Sequence, residues 1–159
     1  RAELMELAAR LGADVPVFVF GHAAWAEGIG DTLSRADPPE TWYCVVIPPV
    51  HVETRTIFRD RQLTRNTPMI KIRDFLAGGA GNDLEPVTRR LYREVDRAID
   101  WLGGFAPARM TGSGAAVFAG VENLAAGQRI LADMPDDFRG VVVRGVNQHP
   151  LTSLLPVCD

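Results

Sequence analysis

Leu84, Val87, Leu91, Val95, Ala98 and Leu102 recur at intervals of 3, 4, 4, 3 and 4 residues. That spacing returns to one side of an α-helix at every turn, so it predicts a long apolar stripe over 82–102, with Arg89, Arg90, Arg93, Glu94 and Arg97 off it. Such a stripe is stable only when it is buried against another element, and this constrains the fold more than any other feature of the chain. Asn82 or Asp83 stands where a cap is needed. Pro86 falls in the first turn, where proline is accepted, and Gly103-Gly104 closes the pattern.

Short apolar runs rich in β-branched and aromatic residues supply the surface for that helix. Trp42–Ile47 reads as a buried strand stopped by Pro48-Pro49. Arg109–Thr111, Ala115–Ala119 and Gly140–Val146 read as three more strands, and residues 124–131 as a second helix. Glu53–Arg59 predicts a short helix around Ile57 and Phe58. Asp60–Pro68 is polar and irregular, and Met69–Leu76 has room for one or two helical turns. The resulting order is strand, short helices, long helix, strand, strand, helix, strand. It predicts an α+β domain, an antiparallel sheet with helices on one face, close to the split βαβ type.

Ahead of this block, Ala36-Asp-Pro-Pro-Glu40 reads as a stiff connector, which sets domain boundaries at 1–36 and 37–159. Leu4, Leu7, Ala8 and Leu11 mark an amphipathic helix that Gly12 ends. Val15–Phe20 is a short apolar run, expected as a strand, and Ala23–Glu27 as a second strand pairing with it. The first helix has no cap residue ahead of it, so a preceding segment is expected. If residues 1–35 have lost neighbours, an open sheet edge predicts self-association of the isolated segment or a disordered start.

Composition excludes several classes. At 47% hydrophobic and 23% charged, the 159 residues are globular rather than disordered. A net charge of −3 indicates no general attraction to nucleic acid or to an anionic membrane. No run reaches the ~18 apolar residues of a transmembrane helix, and the first residues do not read as a signal peptide. Cys44 and Cys158 form neither metal spacing nor a disulfide framework, which suits free thiols in a reducing cytoplasm. His22, His51 and His149 share no ligand spacing, so no protein-held metal site is expected.

Chemistry is expected at two places. In Met110-Thr-Gly-Ser-Gly-Ala-Ala-Val-Phe118, Gly112 and Gly114 permit a turn whose successive N–H groups form an anion-binding nest, while Thr111 and Ser113 add hydroxyl groups. The alternative reading is a tight strand-to-strand turn. The spacing matches neither a complete P-loop nor a dinucleotide fingerprint. Asp14 stands between a helix-ending Gly-Ala and an apolar run; it serves either as a general base or as an ordinary turn residue. Phe58 and Trp25 are read either as core or as platforms for a planar ligand.

Three stretches taken together narrow these alternatives: Leu11-Gly-Ala-Asp-Val-Pro-Val-Phe18, Gly21-His-Ala-Ala-Trp-Ala-Glu-Gly-Ile-Gly30 and Met110–Phe118. In this order and at these separations the chain resembles the C-terminal part of a GHMP-family kinase. Arg65-Asn-Thr-Pro68, Asn82-Asp83, Tyr92–Asp96 and Gly145-Val-Asn147 favour a member that acts on a cytidine diphosphate-linked methylerythritol. The resemblance implies a GHMP-kinase C-terminal domain preceded by a remnant of an N-terminal domain of the ribosomal S5 domain 2 type. It implies transfer of the γ-phosphoryl group of ATP, with Mg²⁺, to the 2-hydroxyl of that substrate in the non-mevalonate route to isoprenoids. Asp14 falls on the catalytic aspartate. Thr111, Gly112, Ser113 and Gly114 fall on a Gly-rich loop lining the catalytic cleft. Phe58 falls on the aromatic that stacks on cytosine, with Ile29 and Thr54 near the same pocket.

The family's main ATP-binding loop, its N-terminal lysine and its second cytosine-stacking aromatic do not occur in these 159 residues. The isolated segment is therefore expected to be inactive. The alternatives are another GHMP small-molecule kinase, against which Phe58 and Arg65–Pro68 argue, or a non-catalytic α+β module that binds a small ligand or a partner through the 112–114 turn.

Overall fold

The structure is a computed structural model. It describes residues 2–28, 30, 32–71, 74 and 81–153. The chain forms two compact units, one made of residues 1–40 and 146–159, the other of residues 41–145.

The second unit is built on a four-stranded antiparallel sheet. β3 (Trp42–Ile47), β4 (Ala108–Met110), β5 (Val117–Val121) and β6 (Arg139–Arg144) lie in the order β4-β5-β3-β6. Cys44 pairs with Ala119 on one side and with Val142 on the other, so Cys44, Val46, Val117 and Ala119 line one face. The crossover from β3 to β4 runs through α3 (Thr54–Arg59), α4 (Glu85–Leu91) and α5 (Arg93–Gly103); α6 (Leu124–Ala132) links β5 to β6. Strand order and connections are those of the split βαβ arrangement.

The apolar stripe reaches that face as expected. Val95, Ala98, Ile99 and Leu102 of α5 are buried together with Cys44, Val46, Val117 and Ala119 in one cluster. Val52, Ile57, Leu63, Val87, Met110 and Phe138 complete it. α6 packs on β6 beside it because residue 127 is glycine: a Cβ there would sit 2.7 Å from both methyl groups of Val142. Asn123 caps α6 through a 2.9 Å bond from the Ala126 N–H to its side-chain oxygen. Burial raises the pKa of the Cys44 thiol, which keeps it protonated.

The predicted single helix over 82–102 is in fact two. Tyr92 leaves the helical region (φ −127°, ψ 96°), ending α4 and starting α5. The interruption turns Leu91 outward, 41% exposed, whereas Leu102 is fully buried. The tertiary reason is visible at the ring: the Tyr92 hydroxyl accepts a hydrogen bond from the Glu53 N–H at 3.2 Å. Asn82 and Asp83 do not occupy the cap position either. Leu84 does, with Pro86 in the first turn as expected.

In the first unit, Val15–Phe20 is a helix, α2, rather than the expected strand. A six-residue apolar run fits either element, and its brackets decide. Pro16 sits in the first turn, where its missing N–H is not needed. Gly21 takes the left-handed conformation (φ 71°), donating its N–H to the Val17 carbonyl at 3.0 Å. α1 (Ala2–Leu11) packs on α2; it buries Ala8 but leaves Leu4, Leu7 and Leu11 exposed. β1 (Ala24–Glu27) pairs instead with β2 (Thr32–Arg35), a strand not expected from the pattern.

The chain returns to this first unit at its far end. Asn147 donates its N–H to the Glu40 carboxylate and its side-chain amide to the Pro38 carbonyl; its own carbonyl accepts the Ala23 N–H. The strand expected over Gly140–Val146 accordingly stops at Arg144, and residues 146–153 group with the first unit. The turns expected over Met69–Leu76 fall largely outside the described residues, as do Gly78–Ala80.

Candidate active site

The loop joining β4 to β5 is the Gly-rich turn. Thr111 donates its N–H to the Ala116 carbonyl and Gly114 its own to Thr111, each at 3.0 Å. Gly112 (φ 54°) and Gly114 (φ 96°) lie in the left-handed region. At Gly114 space also forbids a side chain: a Cβ would stand 3.1 Å from the Met110 sulfur and 3.3 Å from the Thr88 methyl.

Three residues, Asn82 ahead of α4 and Glu85 and Thr88 within it, fasten this loop. The Asn82 side-chain amide donates to the Met110 carbonyl at 3.2 Å and to the Gly112 carbonyl at 2.7 Å, while its oxygen accepts the Leu84 N–H at 3.0 Å. The Met110 N–H donates to the Glu85 carboxylate at 3.1 Å. The Thr88 hydroxyl, fully buried, lies 3.1 Å from the Ser113 carbonyl and 3.1 Å from that of Leu84. The carbonyls of residues 110–113 are thus all turned to the protein. The N–H groups of Gly112 and Ser113 meet no backbone acceptor among the described residues. Gly112 and Ser113 thus keep N–H donors that the backbone does not use, as an anion nest requires.

From the side of α3, Thr54 reaches the same loop: its hydroxyl oxygen lies 2.8 Å from that of Ser113. Four residues on, Phe58 is 54% exposed, so the core reading of this ring does not hold. The neighbouring Ile57 is fully buried and anchors the helix. Past the helix end, Asp60 accepts the Gln62 N–H at 2.8 Å and an Arg90 guanidinium hydrogen bond at 2.6 Å. The Gln62 N–H first, then Arg90, hold its carboxyl below the usual aspartate pKa.

Asp14 belongs to the first unit. It occupies the position before α2, exposed, and its carboxylate makes no capping bond. It lies in the turn between α1 and α2, as the turn reading expects. Trp25 is half-buried in β1. Ile29 lies outside the described residues. His22 buries its Nδ1 without a hydrogen-bond partner.

Asn82, Glu85, Thr88 and Tyr92 were not singled out as loop-holding residues by sequence reasoning. Asn82 ahead of a helix reads as a cap, and Thr88 and Tyr92 read as ordinary members of a stripe. Their partners lie 25 to 39 positions away. The arginine face is also less simply solvated than charge patterning suggested: Arg89 pairs with Asp96 and Asp100, and Arg97 with Asp137.

The split βαβ sheet with its helices has a counterpart among known families. The family model described as GHMP kinases C terminal matches residues 63–140. Residues 63–140 are a GHMP-kinase C-terminal domain. Among curated relatives, the 4-diphosphocytidyl-2-C-methyl-D-erythritol kinase of Thiobacillus denitrificans is 53% identical over 156 residues, covering 98% of this chain and 56% of that protein. The kinase of the same name from Aromatoleum aromaticum is 54% identical over 149 residues, covering 94% of this chain and 52% of its own length. A crystal structure of 4-(cytidine 5'-diphospho)-2C-methyl-D-erythritol kinase superposes with a TM-score of 0.74 at 27% identity, over 89% of this chain and 56% of that one. The chain spans about half the length of the relatives it matches. Among the described residues no helix is long and apolar enough to cross a membrane.

Proposed function

We propose that this chain supplies the C-terminal portion of a kinase that phosphorylates the 2-hydroxyl of 4-diphosphocytidyl-2-C-methyl-D-erythritol from ATP. The observation that carries the reading is the Thr54–Ser113 contact, which mounts the exposed Phe58 ring and the Gly-rich loop on one frame. An aromatic shelf suits the cytosine ring, and N–H donors that the backbone does not use suit the diphosphate. In this reading Thr111, Gly112, Ser113 and Gly114 line the substrate's phosphate side, and Thr54 borders the cytidine ring. Residues 1–36 are the remnant of the N-terminal domain.

Phosphoryl transfer depends on positioning and charge stabilisation. The Asp14 carboxylate accepts the proton of the 2-hydroxyl as that oxygen attacks the γ-phosphorus. The bond from the γ-phosphorus to the β–γ bridging oxygen breaks, and ADP leaves. Among the described residues no group of three or more His, Cys, Asp or Glu side chains is clustered to hold a metal. Mg²⁺ enters as the companion of ATP, and no residue of this chain is assigned to it. The absence of a disulfide framework suits a cytoplasmic enzyme.

The test is ATP-dependent phosphorylation of 4-diphosphocytidyl-2-C-methyl-D-erythritol by the complete gene product that carries this chain, read as ADP release and as the mass of the phosphorylated product. Asp14→Asn is expected to abolish turnover while leaving cytidyl-substrate binding largely intact. Phosphorylation of a different alcohol, such as homoserine or mevalonate, with none of this substrate would overturn the reading.

A further inference from the structure

We propose that Arg65 is a positioning residue that sets the Phe58 shelf, and through it the affinity for the cytosine ring; the inference rests on the functional reading above. α3 has six residues, too few to hold its shape in water without tertiary ties. Its first turn has them: Glu53 donates its N–H to the Tyr92 hydroxyl, and Thr54 meets Ser113. Its last turn ends in carbonyls that have no partner within the helix.

Arg65 reaches back over that end. One terminal nitrogen, Nη2, donates to the Phe58 carbonyl at 2.6 Å and to that of Asp60 at 3.2 Å. The other, Nη1, donates to the carbonyls of Asp60 at 3.2 Å and Leu63 at 3.1 Å. A single planar fork therefore holds three backbone oxygens, one of them belonging to Phe58 itself. Its charge sits at a helix C-terminus, where a cation is favoured. Lysine cannot reproduce this, because an ammonium is a point charge without a fixed fork.

The consequence is a ring that is exposed but mounted on backbone fixed from both ends. Buried Ile57 stands on one side of Phe58 in the chain and the guanidinium holds its carbonyl on the other. A shelf immobilised before the ligand arrives loses little freedom on binding, which is the general route by which preorganisation raises affinity. Among the described residues the hydrogen bonds of Arg65 go to backbone carbonyls, so its effect on the substrate passes through Phe58.

The experiment is a double-mutant cycle in the complete kinase, with KM for the cytidyl substrate, KM for ATP and kcat measured for Phe58→Ala, Arg65→Ala, Arg65→Lys and the Phe58→Ala/Arg65→Ala pair. Arg65→Ala is expected to raise KM for the cytidyl substrate about three- to tenfold, the range one aromatic contact accounts for, with kcat and the ATP KM nearly unchanged. Arg65→Lys, which keeps the charge and guards against a folding failure of the alanine variant, is expected to recover less than half of that loss. In the Phe58→Ala background, Arg65→Ala is expected to change the cytidyl KM hardly at all. An equal KM increase in both backgrounds, or a fall in kcat with KM constant, would make Arg65 a general loop staple and overturn the inference alone. No effect of Phe58→Ala on the cytidyl KM would overturn the shelf itself, and the functional reading with it.

Discussion

The hydroxyl oxygens of Thr54 and Ser113 lie 2.8 Å apart, although 59 positions separate them in the chain. Thr54 opens α3 and Ser113 sits at the middle of the Gly-rich loop, so one contact couples the aromatic-bearing helix to the donor-bearing turn. Both residues are near solvent, and an exposed neutral hydrogen bond contributes little to stability. Ser113→Ala is expected to lower unfolding free energy by less than about 1 kcal/mol while weakening cytidyl-substrate binding. Urea denaturation paired with substrate titration checks this; a large stability loss with unchanged binding would contradict it.

Asn82 holds two loop carbonyls with its amide and the start of α4 with its oxygen. Asn82→Ala removes all three bonds and leaves the partly buried Met110 carbonyl short of a partner. A loss of about 1–3 kcal/mol is expected. Asn82→Asp keeps the acceptor but not the donors, and should recover only the helix part. Equal stability of the two variants would show that the Leu84 bond contributes nothing, and an Asn82→Asp variant as stable as the natural chain would show that the loop bonds contribute nothing.

The break at Tyr92 makes a prediction about two leucines of one stripe. Leu102 is fully buried and Leu91 is 41% exposed. Leu102→Ala is expected to cost about 2–5 kcal/mol, as cavity-forming core substitutions do. Leu91→Ala is expected to cost less than about 1 kcal/mol. Chemical denaturation of the two variants decides; similar losses would mean that the helix runs unbroken.

Asp60 joins α3 to α4 through Arg90. Its pKa is lowered in the folded state, by the Gln62 N–H first and then by Arg90. A carboxylate with a depressed folded pKa contributes stability that is present above its unfolded pKa and is lost as pH falls through the folded one. Stability of the natural chain should therefore fall on acidification below the ordinary aspartate range. Asp60→Asn should be less stable at neutral pH and show a shallower acid decline. Parallel pH profiles for the two would sink the assignment.

Much of the second unit was legible because its signals are local. The six residues of β3 alternate about a buried face and end at two prolines, and strand Trp42–Ile47 lies where the pattern placed it. The stripe from Val87 to Leu102 pointed to the buried face even though the helix carrying it is interrupted. The Gly-rich turn was legible as a turn because positive φ at Gly112 and Gly114 demands that residue type. α2 was misread because its six apolar residues carry no period, and only the Pro16 and Gly21 brackets separate helix from strand.

By itself, then, the sequence determined what one or two turns of backbone can settle: the strands, the stripe, the prolines and glycines that stop them, and through the family motifs the identity of the domain. Tertiary structure alone decided that Tyr92 breaks a helix to reach Glu53, that Asn82 serves a loop 30 positions away, that Arg65 turns back onto Phe58, and that Asn147 returns the chain to the first unit. The physical reason is one of range. Period and backbone dihedrals are properties of neighbouring residues, whereas a polar side chain with several possible acceptors takes the one that folding brings within hydrogen-bond distance.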